Sequence, residues 1–259
     1  MGTYVELPQG RVWYEEQGSG DPLVLIHGGA VDSRFFEHNI GPLAEAFRVI
    51  AVDLWGHGRS PDRDGPFSLA SFAGDVADII ERVASGPAHV VGHSIGAAVA
   101  LELTIRRPDL VRQLVAVSGG FDVAAEESTA GLDIDAMVDQ TVAFLGSTYG
   151  AVSPDGEAHF ATVTRKDFEL SSREPRYATE DIGRIDQRTL VMVADDDITP
   201  LDHQLEFYRA LPRGELAVVP GTSHFLLQEK PALCNAIILD FLREEPISTV
   251  APVRRAPPR

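Results

Sequence analysis

The stretch "HVVGHSIGAAVA", residues 89–100, changes character in its middle. The letters HVV are typical of the end of a buried strand, and IGAAVA is typical of the start of a closely packed helix. Ser94 stands between them, with Gly92 and Gly96 two positions away on either side. A turn this tight strains its central residue, and the glycines leave the space that it needs. The turn either is purely structural or presents a hydroxyl nucleophile at a helix N-terminus, as the pattern G-x-S-x-G does after a strand and before a helix.

Outward from this turn, short apolar segments alternate with segments of helical periodicity. Apolar strands separated by amphipathic helices predict a mostly parallel, doubly wound α/β sheet that is covered on both faces. The first two strands, on either side of Pro8-Gln9-Gly10, are predicted to form a hairpin. The strand-like segments are YVEL, RVWYEEQG, PLVLIHG, RVIAVDL, AHVVGHS, QLVAVSG, TLVMVAD and ELAVVPG.

The alternation is interrupted once, between about residues 120 and 187. This region has helical segments and no convincing apolar strand, so it is predicted to be a cap or lid over the carboxyl ends of the strands, where ligands bind in such sheets. The core is then residues 1–119 and 188–243. The tail, residues 244–259, is rich in proline and arginine and is predicted to be disordered. Six cap residues are predicted either to line a pocket or to form the cap's own core: Phe121, Met137, Phe144, Leu145, Tyr149 and Phe160.

A serine nucleophile needs a base and a group that orients the base. His224 follows the apolar segment "AVVPGTS" and precedes the last helix, so it is the predicted base. For the acid, "ADDDITP" places three aspartates after another apolar strand. The order Ser94, Asp197, His224 is the order in which α/β-hydrolases carry their triad. An oxyanion hole is predicted from the amide of Ile95 together with an amide of Gly29 or Ala30 in "LIHGGA".

Five segments together resemble the α/β-hydrolase superfamily from about residue 10 to residue 243: "HGG" (27–29), "DLWGHGRS" (53–60), "GHSIG" (92–96), "ADDDITP" (194–200) and "GTSH" (221–224). The resemblance implies an eight-stranded, mostly parallel sheet with a helical cap after strand 6. It also implies hydrolysis through an acyl-serine intermediate, with no metal and no cofactor. Carried over by motif, Ser94 is the nucleophile, His224 the base and Asp197 the acid, and Gly29 and Ile95 supply the oxyanion amides.

The acid departs from the superfamily's pattern. It usually lies three positions after a glycine and further before a proline, but here alanine replaces that glycine and Pro200 follows closely. Counting from Ala194 selects Asp197, whereas counting back from Pro200 selects Asp196. Asp122, after the sixth predicted strand, is a third candidate because some similar proteins carry the acid there.

The predicted function is hydrolysis of a carboxylic ester, or a related acyl bond, of a small to medium apolar substrate. A serine at the turn argues against the dehalogenases and epoxide hydrolases of the superfamily, which carry aspartate there. Lactone hydrolysis and carbon–carbon cleavage of diketones are alternatives on the same triad. A non-catalytic ligand receptor on the same scaffold is the alternative from another class.

Composition restricts the partners. The formal net charge of −17 disfavours nucleic acid and anionic membranes as partners, because both would repel the protein. The single cysteine, Cys234, allows no internal disulfide and is predicted to be a buried apolar residue. The sequence shows no signal peptide and no membrane span, so a cytoplasmic protein is expected. The oligomeric state is left open.

Overall fold

A computed structural model describes residues 2–125, 133–243 and 249–251. One eight-stranded sheet has the strand order β1-β2-β4-β3-β5-β6-β7-β8. Strands β3 to β8 run parallel to one another, while β1 pairs antiparallel with β2, and β2 pairs antiparallel with β4. The predicted eight-stranded, mostly parallel sheet is therefore confirmed, including its opening hairpin. The strands are β1 Gly2–Leu7, β2 Gly10–Gln17, β3 Pro22–Ile26, β4 Arg48–Val52, β5 Ala88–His93, β6 Val111–Val117, β7 Arg188–Asp196 and β8 Gly214–Ser223.

Helices cover both faces of the sheet. The α-helices are α1 Glu37–Ala44, α2 Leu69–Ile79, α3 Ile95–Arg106, α4 Ile134–Gly150, α5 Phe160–Ser171, α6 Thr179–Ile182, α7 Leu201–Ala210, α8 Leu226–Glu229 and α9 Pro231–Arg243. A π-helical stretch, Ile80–Ala84, continues α2. None of the helices in the described part of the chain is long and apolar enough to cross a membrane.

Alternate residues of the central strands enter two separate cores. On β3, Val24 and Ile26 pack into one core, and Leu23 and Leu25 pack into the other. All four are fully buried, as expected for a strand that carries helices on both faces. Cys234 is buried on α9, as predicted.

The segment between β6 and β7 contains α4, α5 and α6 and no named strand within its described residues. Residues 126–132, which belong to the predicted cap, lie outside the described residues. Most of the tail that is predicted to be disordered, residues 244–259, also lies outside the described residues, so that prediction remains untested.

The direction of winding changes beside the predicted nucleophile. After β3 the chain adds β4 on one side and then returns to add β5 on the other, so β3 lies between them. Ligands bind at such a switch point, in the crevice beyond the carboxyl ends of the strands. Gly29 follows β3 and Ser94 follows β5, so both residues lie at this crevice.

Candidate active site

Ser94 occupies the turn between β5 and α3 with a strained backbone. Its φ is 56° and its ψ is −122°, a region that residues with a side chain rarely adopt. A Cβ atom on Gly92 would lie 2.1 Å from the Gly96 carbonyl oxygen, and one on Gly96 would lie 2.2 Å from the Ile26 carbonyl oxygen. Only glycine fits at either position, which explains the spacing of the motif around Ser94.

Ser94, His224 and Asp197 form one chain of hydrogen bonds. The Ser94 Oγ lies 3.0 Å from His224 Nε2, and His224 Nδ1 lies 2.8 Å from Asp197 Oδ1. The Asp197 side chain is 1% exposed and that of His224 is 13% exposed. Because a carboxylate only accepts, Nδ1 carries the imidazole proton, and Nε2 is free to accept the proton of the serine hydroxyl.

Asp197 is held in its ionised form by its neighbours. Burial raises the pKa of Asp197, but hydrogen bonds from His224 and Ser118 outweigh burial and bring this pKa below its usual value. The Ser118 hydroxyl donates to Asp197 Oδ2 at 2.5 Å, and the Thr199 amide donates to Oδ1 at 3.1 Å. Sequence reasoning missed Ser118, although it directly follows β6, at the same edge of the sheet.

The two other candidate acids make different contacts. Asp196 is exposed, and the Asp122 carboxylate accepts from the amide of Ala124. Asp195, the first of the three successive aspartates, accepts from the Thr222 amide at 3.1 Å in the segment that leads to His224. Of the acids considered, only Asp197 is hydrogen-bonded to His224 in the described structure.

The two predicted oxyanion amides lie on either side of the switch point. Ile95 is the first residue of α3, and amides in the first turn of a helix lack a partner within the helix. Gly29 lies against it, since a Cβ on Gly29 would be 2.7 Å from Ile95 Cδ1. The Ala30 amide was expected to be open, but it donates to the Asp167 carboxylate at 2.9 Å, so Ala30 is not available as the second donor.

Two buried histidines shape the loops around this site. His27 binds the Gly28 carbonyl through Nδ1 at 2.7 Å and accepts from the Leu54 amide through Nε2 at 3.0 Å. His93 donates through Nε2 to the backbone carbonyl of His224 at 2.8 Å. Burial lowers the pKa of His27 to about 4, and burial together with the nearby His224 lowers that of His93 to about 3. Both rings are therefore neutral at pH 7.

A third buried histidine gives a test that is independent of the site. Burial, together with the charge of Arg112, lowers the pKa of His89 from 6.5 to about 4. The unfolded chain therefore binds a proton at His89 more readily than the folded chain does. Stability from a neutral His89 is complete above pH 6.5 and is lost as the pH falls toward 4. Between pH 7 and pH 5 the loss is about 2 kcal/mol.

We expect His89→Gln to remove this part of the acid sensitivity. Urea unfolding at pH 7 and pH 5 should show the free energy of unfolding falling less in the variant, by about 2 kcal/mol. Asp75, whose pKa burial raises to about 6, acts in the opposite direction but is common to both proteins. An equal fall in both proteins would contradict the assignment.

Ser94 and His224 open into a cavity of about 1330 Å³. Of the six cap residues considered, four line it: Met137, Phe144, Leu145 and Tyr149. Phe121 and Phe160 are instead buried in the hydrophobic core. Arg34, also in the lining, forms an ion pair with Asp32 at 2.6 Å.

A buried ion pair beside the cavity was not foreseen from the sequence. His57 Nε2 lies 3.0 Å from Asp167 Oδ2, and the two side chains are 2% and 4% exposed. Burial alone would lower the pKa of His57, but the charge and hydrogen bond of Asp167 outweigh burial and raise this pKa. In the sequence, the position of His57 in the glycine-rich segment "DLWGHGRS" is one signal for this pair, and no signal indicates Asp167.

Known proteins resemble the chain in sequence and in fold. Over 109 residues it is 42% identical to a dihydrolipoyllysine-residue acetyltransferase component of an acetoin cleaving system from Cupriavidus necator, covering 42% of this chain and 29% of that protein. Over 108 residues it is 33% identical to an (E)-2-((N-methylformamido)methylene)succinate hydrolase from Acinetobacter baylyi, covering 42% of this chain and 41% of that one. The matches thus span less than half the length of either relative.

The fold is similar to that of an enol-lactonase from Burkholderia xenovorans, with a TM-score of 0.74 and 18% identity over 93% of this chain and 100% of that one. At this identity, the similarity shows the fold alone. The model of the alpha/beta hydrolase family matches residues 23–237. Since this match extends over most of the chain, the protein belongs to the alpha/beta hydrolase family.

Proposed function

We propose that the protein hydrolyses carboxylic esters of small to medium, largely apolar substrates through an acyl-serine intermediate. The observation that supports this most is the hydrogen-bonded chain from Ser94 through His224 to Asp197, with the serine at the cavity. A receptor that only binds its ligand does not require this chain. A strained serine backbone is likewise a cost that a catalytic role explains.

The reaction follows from the proton positions. As Ser94 Oγ attacks the carbonyl carbon, His224 Nε2 takes its proton, and the ionised Asp197 stabilises the resulting imidazolium. The carbonyl oxygen becomes an oxyanion, to which the amides of Gly29 and Ile95 donate in this proposal. His224 then gives its proton to the leaving alcohol, and the acyl group remains on Ser94.

Water completes the cycle. His224 takes a proton from a water molecule whose oxygen attacks the acyl carbon, and the second oxyanion collapses to release the acid. The proton returns from His224 to Ser94 Oγ. Each oxyanion donor in such a site is worth about 3 kcal/mol of transition-state stabilisation.

The cavity supports a substrate larger than acetate. Its volume of about 1330 Å³ exceeds the roughly 300–1,000 Å³ of common small-molecule sites. Apolar side chains of α4, among them Met137 and Leu145, form one wall, so the segment between β6 and β7 is proposed to act as the cap. Phe144 is 81% exposed on the same helix and extends this apolar surface to solvent.

The test combines covalent labelling with turnover. A fluorophosphonate probe should label the protein once, and peptide mass spectrometry should locate the label on Ser94. Hydrolysis of p-nitrophenyl butyrate should stop in proportion to labelling, and butyrate should be cleaved faster than acetate because it fills more of the cavity. A protein that neither takes the label nor cleaves either ester would favour the receptor.

A further inference from the structure

Asp167 brings a carboxylate from the cap to the edge of the proposed oxyanion hole. It lies on α5, and its Oδ2 accepts from both His57 Nε2 and the Ala30 amide. A Cβ on Gly29 would lie 2.7 Å from Ile95 Cδ1 and 3.2 Å from Asp167 Cγ. The carboxylate is therefore next to the two proposed oxyanion donors, and it lines the same cavity as Ser94.

The second oxygen of this carboxylate has no partner among the described residues. Asp167 Oδ1 is buried without a hydrogen bond, and so is Thr164 Oγ1, three residues earlier on the same face of α5. Both residues line the cavity. An unsatisfied buried polar atom destabilises the protein, and more so when it is charged, so this carboxylate oxygen and this hydroxyl are suited to a ligand that supplies a donor.

The charges around the cavity favour a cationic donor. The described lining includes five carboxylates and one guanidinium, that of Arg34, which Asp32 already pairs. The Asp167 charge is balanced by His57. Two other carboxylates accept only from groups without a charge: Glu174 accepts from the Leu69 amide, and Glu229 accepts from the Ser223 amide. The electrostatic potential in the cavity is therefore negative, and it attracts an ammonium group and repels a carboxylate.

We propose that Asp167 Oδ1 and Thr164 Oγ1 form a subsite for a hydrogen-bond donor, above all a protonated amine, on the carbon next to the scissile carbonyl. The preferred substrates are then esters of amino acids, followed by esters of hydroxy acids. This inference rests on the proposed ester hydrolysis at Ser94. The proposed substrates differ in charge from that of the Acinetobacter baylyi relative, which is named for a succinate and hence for a dicarboxylate.

Four benzyl esters of matched size test the subsite. They are the esters of alanine, lactic acid, isobutyric acid and 2-methylmalonic acid, which place an ammonium, a hydroxyl, a methyl and a carboxylate at one position. Release of benzyl alcohol at pH 7 gives kcat/KM for each. We expect the alanine ester to exceed the isobutyrate ester at least tenfold, and the methylmalonate ester to be the poorest.

Asp167→Asn should reduce the ratio of kcat/KM for the alanine ester to kcat/KM for the isobutyrate ester about tenfold, mainly by raising KM for the alanine ester. The amide oxygen can still accept from Ala30, but its NH₂ then meets the substrate's donor. Asp62→Asn is the matched control, because Asp62 is a buried carboxylate that pairs with Lys166 and lies outside the cavity lining; the ratio should not change. An equal loss on all four esters in Asp167→Asn would instead make Asp167 a structural support for the loop at Ala30.

Labelling separates this inference from the proposed function. Each ester should slow the reaction of fluorophosphonate with Ser94, and this protection reports binding even where turnover is slow. Equal protection by the alanine and isobutyrate esters in the wild type would overturn the subsite while leaving the serine hydrolase intact. A protein that takes no label on Ser94 and cleaves no ester would overturn both.

Discussion

Replacing Ser94 by alanine is expected to lower kcat for p-nitrophenyl butyrate by roughly 10⁴-fold or more. The hydroxyl oxygen is the only atom removed, so His224 loses the proton that it would take and no acyl intermediate forms. Alanine keeps the Cβ atom in the same strained turn, so the melting temperature should change by only a few degrees. Steady-state kinetics and circular dichroism on the same preparation measure both effects.

A second serine with a left-handed backbone gives the control. Ser85 has φ 63°, is exposed and lies in the turn before β5, away from the cavity. Ser85→Ala makes the same chemical change at another serine with a positive φ, and it should leave kcat unchanged. If Ser94→Ala kept more than a tenth of the wild-type activity, the nucleophile would have to be another group.

The sheet could be predicted because its central strands are buried on both faces. Four successive apolar residues on β3 alternate between the two cores, and such continuous segments between helical ones have few other solutions. The turn at Ser94 could be predicted because the contact that requires Gly92 is local, with the Gly96 carbonyl, whereas the requirement for Gly96 comes from its close approach to the end of β3 at Ile26. His224 and Gly29 then followed from the same rule, that parallel strands present their carboxyl ends at one edge.

The choice among neighbouring aspartates was beyond the sequence. Asp195 and Asp196 end β7, and the pairing of β7 with β8 shifts register between Ala194 and Asp196. In a regular strand, alternation would set which carboxylates share a face, but this irregularity removes that rule. As a result Asp195 binds the Thr222 amide, and the carboxylate beyond the strand end reaches His224.

The ion pair of His57 and Asp167 was missed for a different reason. Its partners are 110 residues apart and belong to the loop after β4 and to α5, between β6 and β7. No periodicity or local motif links them, and contacts of this kind depend on how the helices between β6 and β7 pack onto the rest of the protein. The same applies to Ala30, because nothing nearby in the sequence indicates Asp167 as the acceptor for its amide.

Replacing Asp197 by asparagine is expected to lower kcat by roughly 10⁴-fold. An asparagine in that position can present its NH₂ to His224 Nδ1, which would then accept, and the imidazole proton would move to Nε2. In that tautomer Nε2 can no longer take the proton of Ser94. The loss should therefore fall on kcat and should not be recovered by raising the substrate concentration.

Asp196→Asn is the matched control because it makes the same chemical change one residue earlier. Asp196 is exposed and is not hydrogen-bonded to His224 in the described structure, so its kcat should stay within about threefold of the wild type. Kinetics of both variants on p-nitrophenyl butyrate, with fluorophosphonate labelling rates, compare them directly. A larger loss in Asp196→Asn would mean that the carboxylate orienting His224 during turnover is not the one it contacts in this structure. The 2.8 Å contact and the 1% exposure of the Asp197 side chain argue for the opposite result, since a buried carboxylate beside an imidazole determines which nitrogen carries the proton.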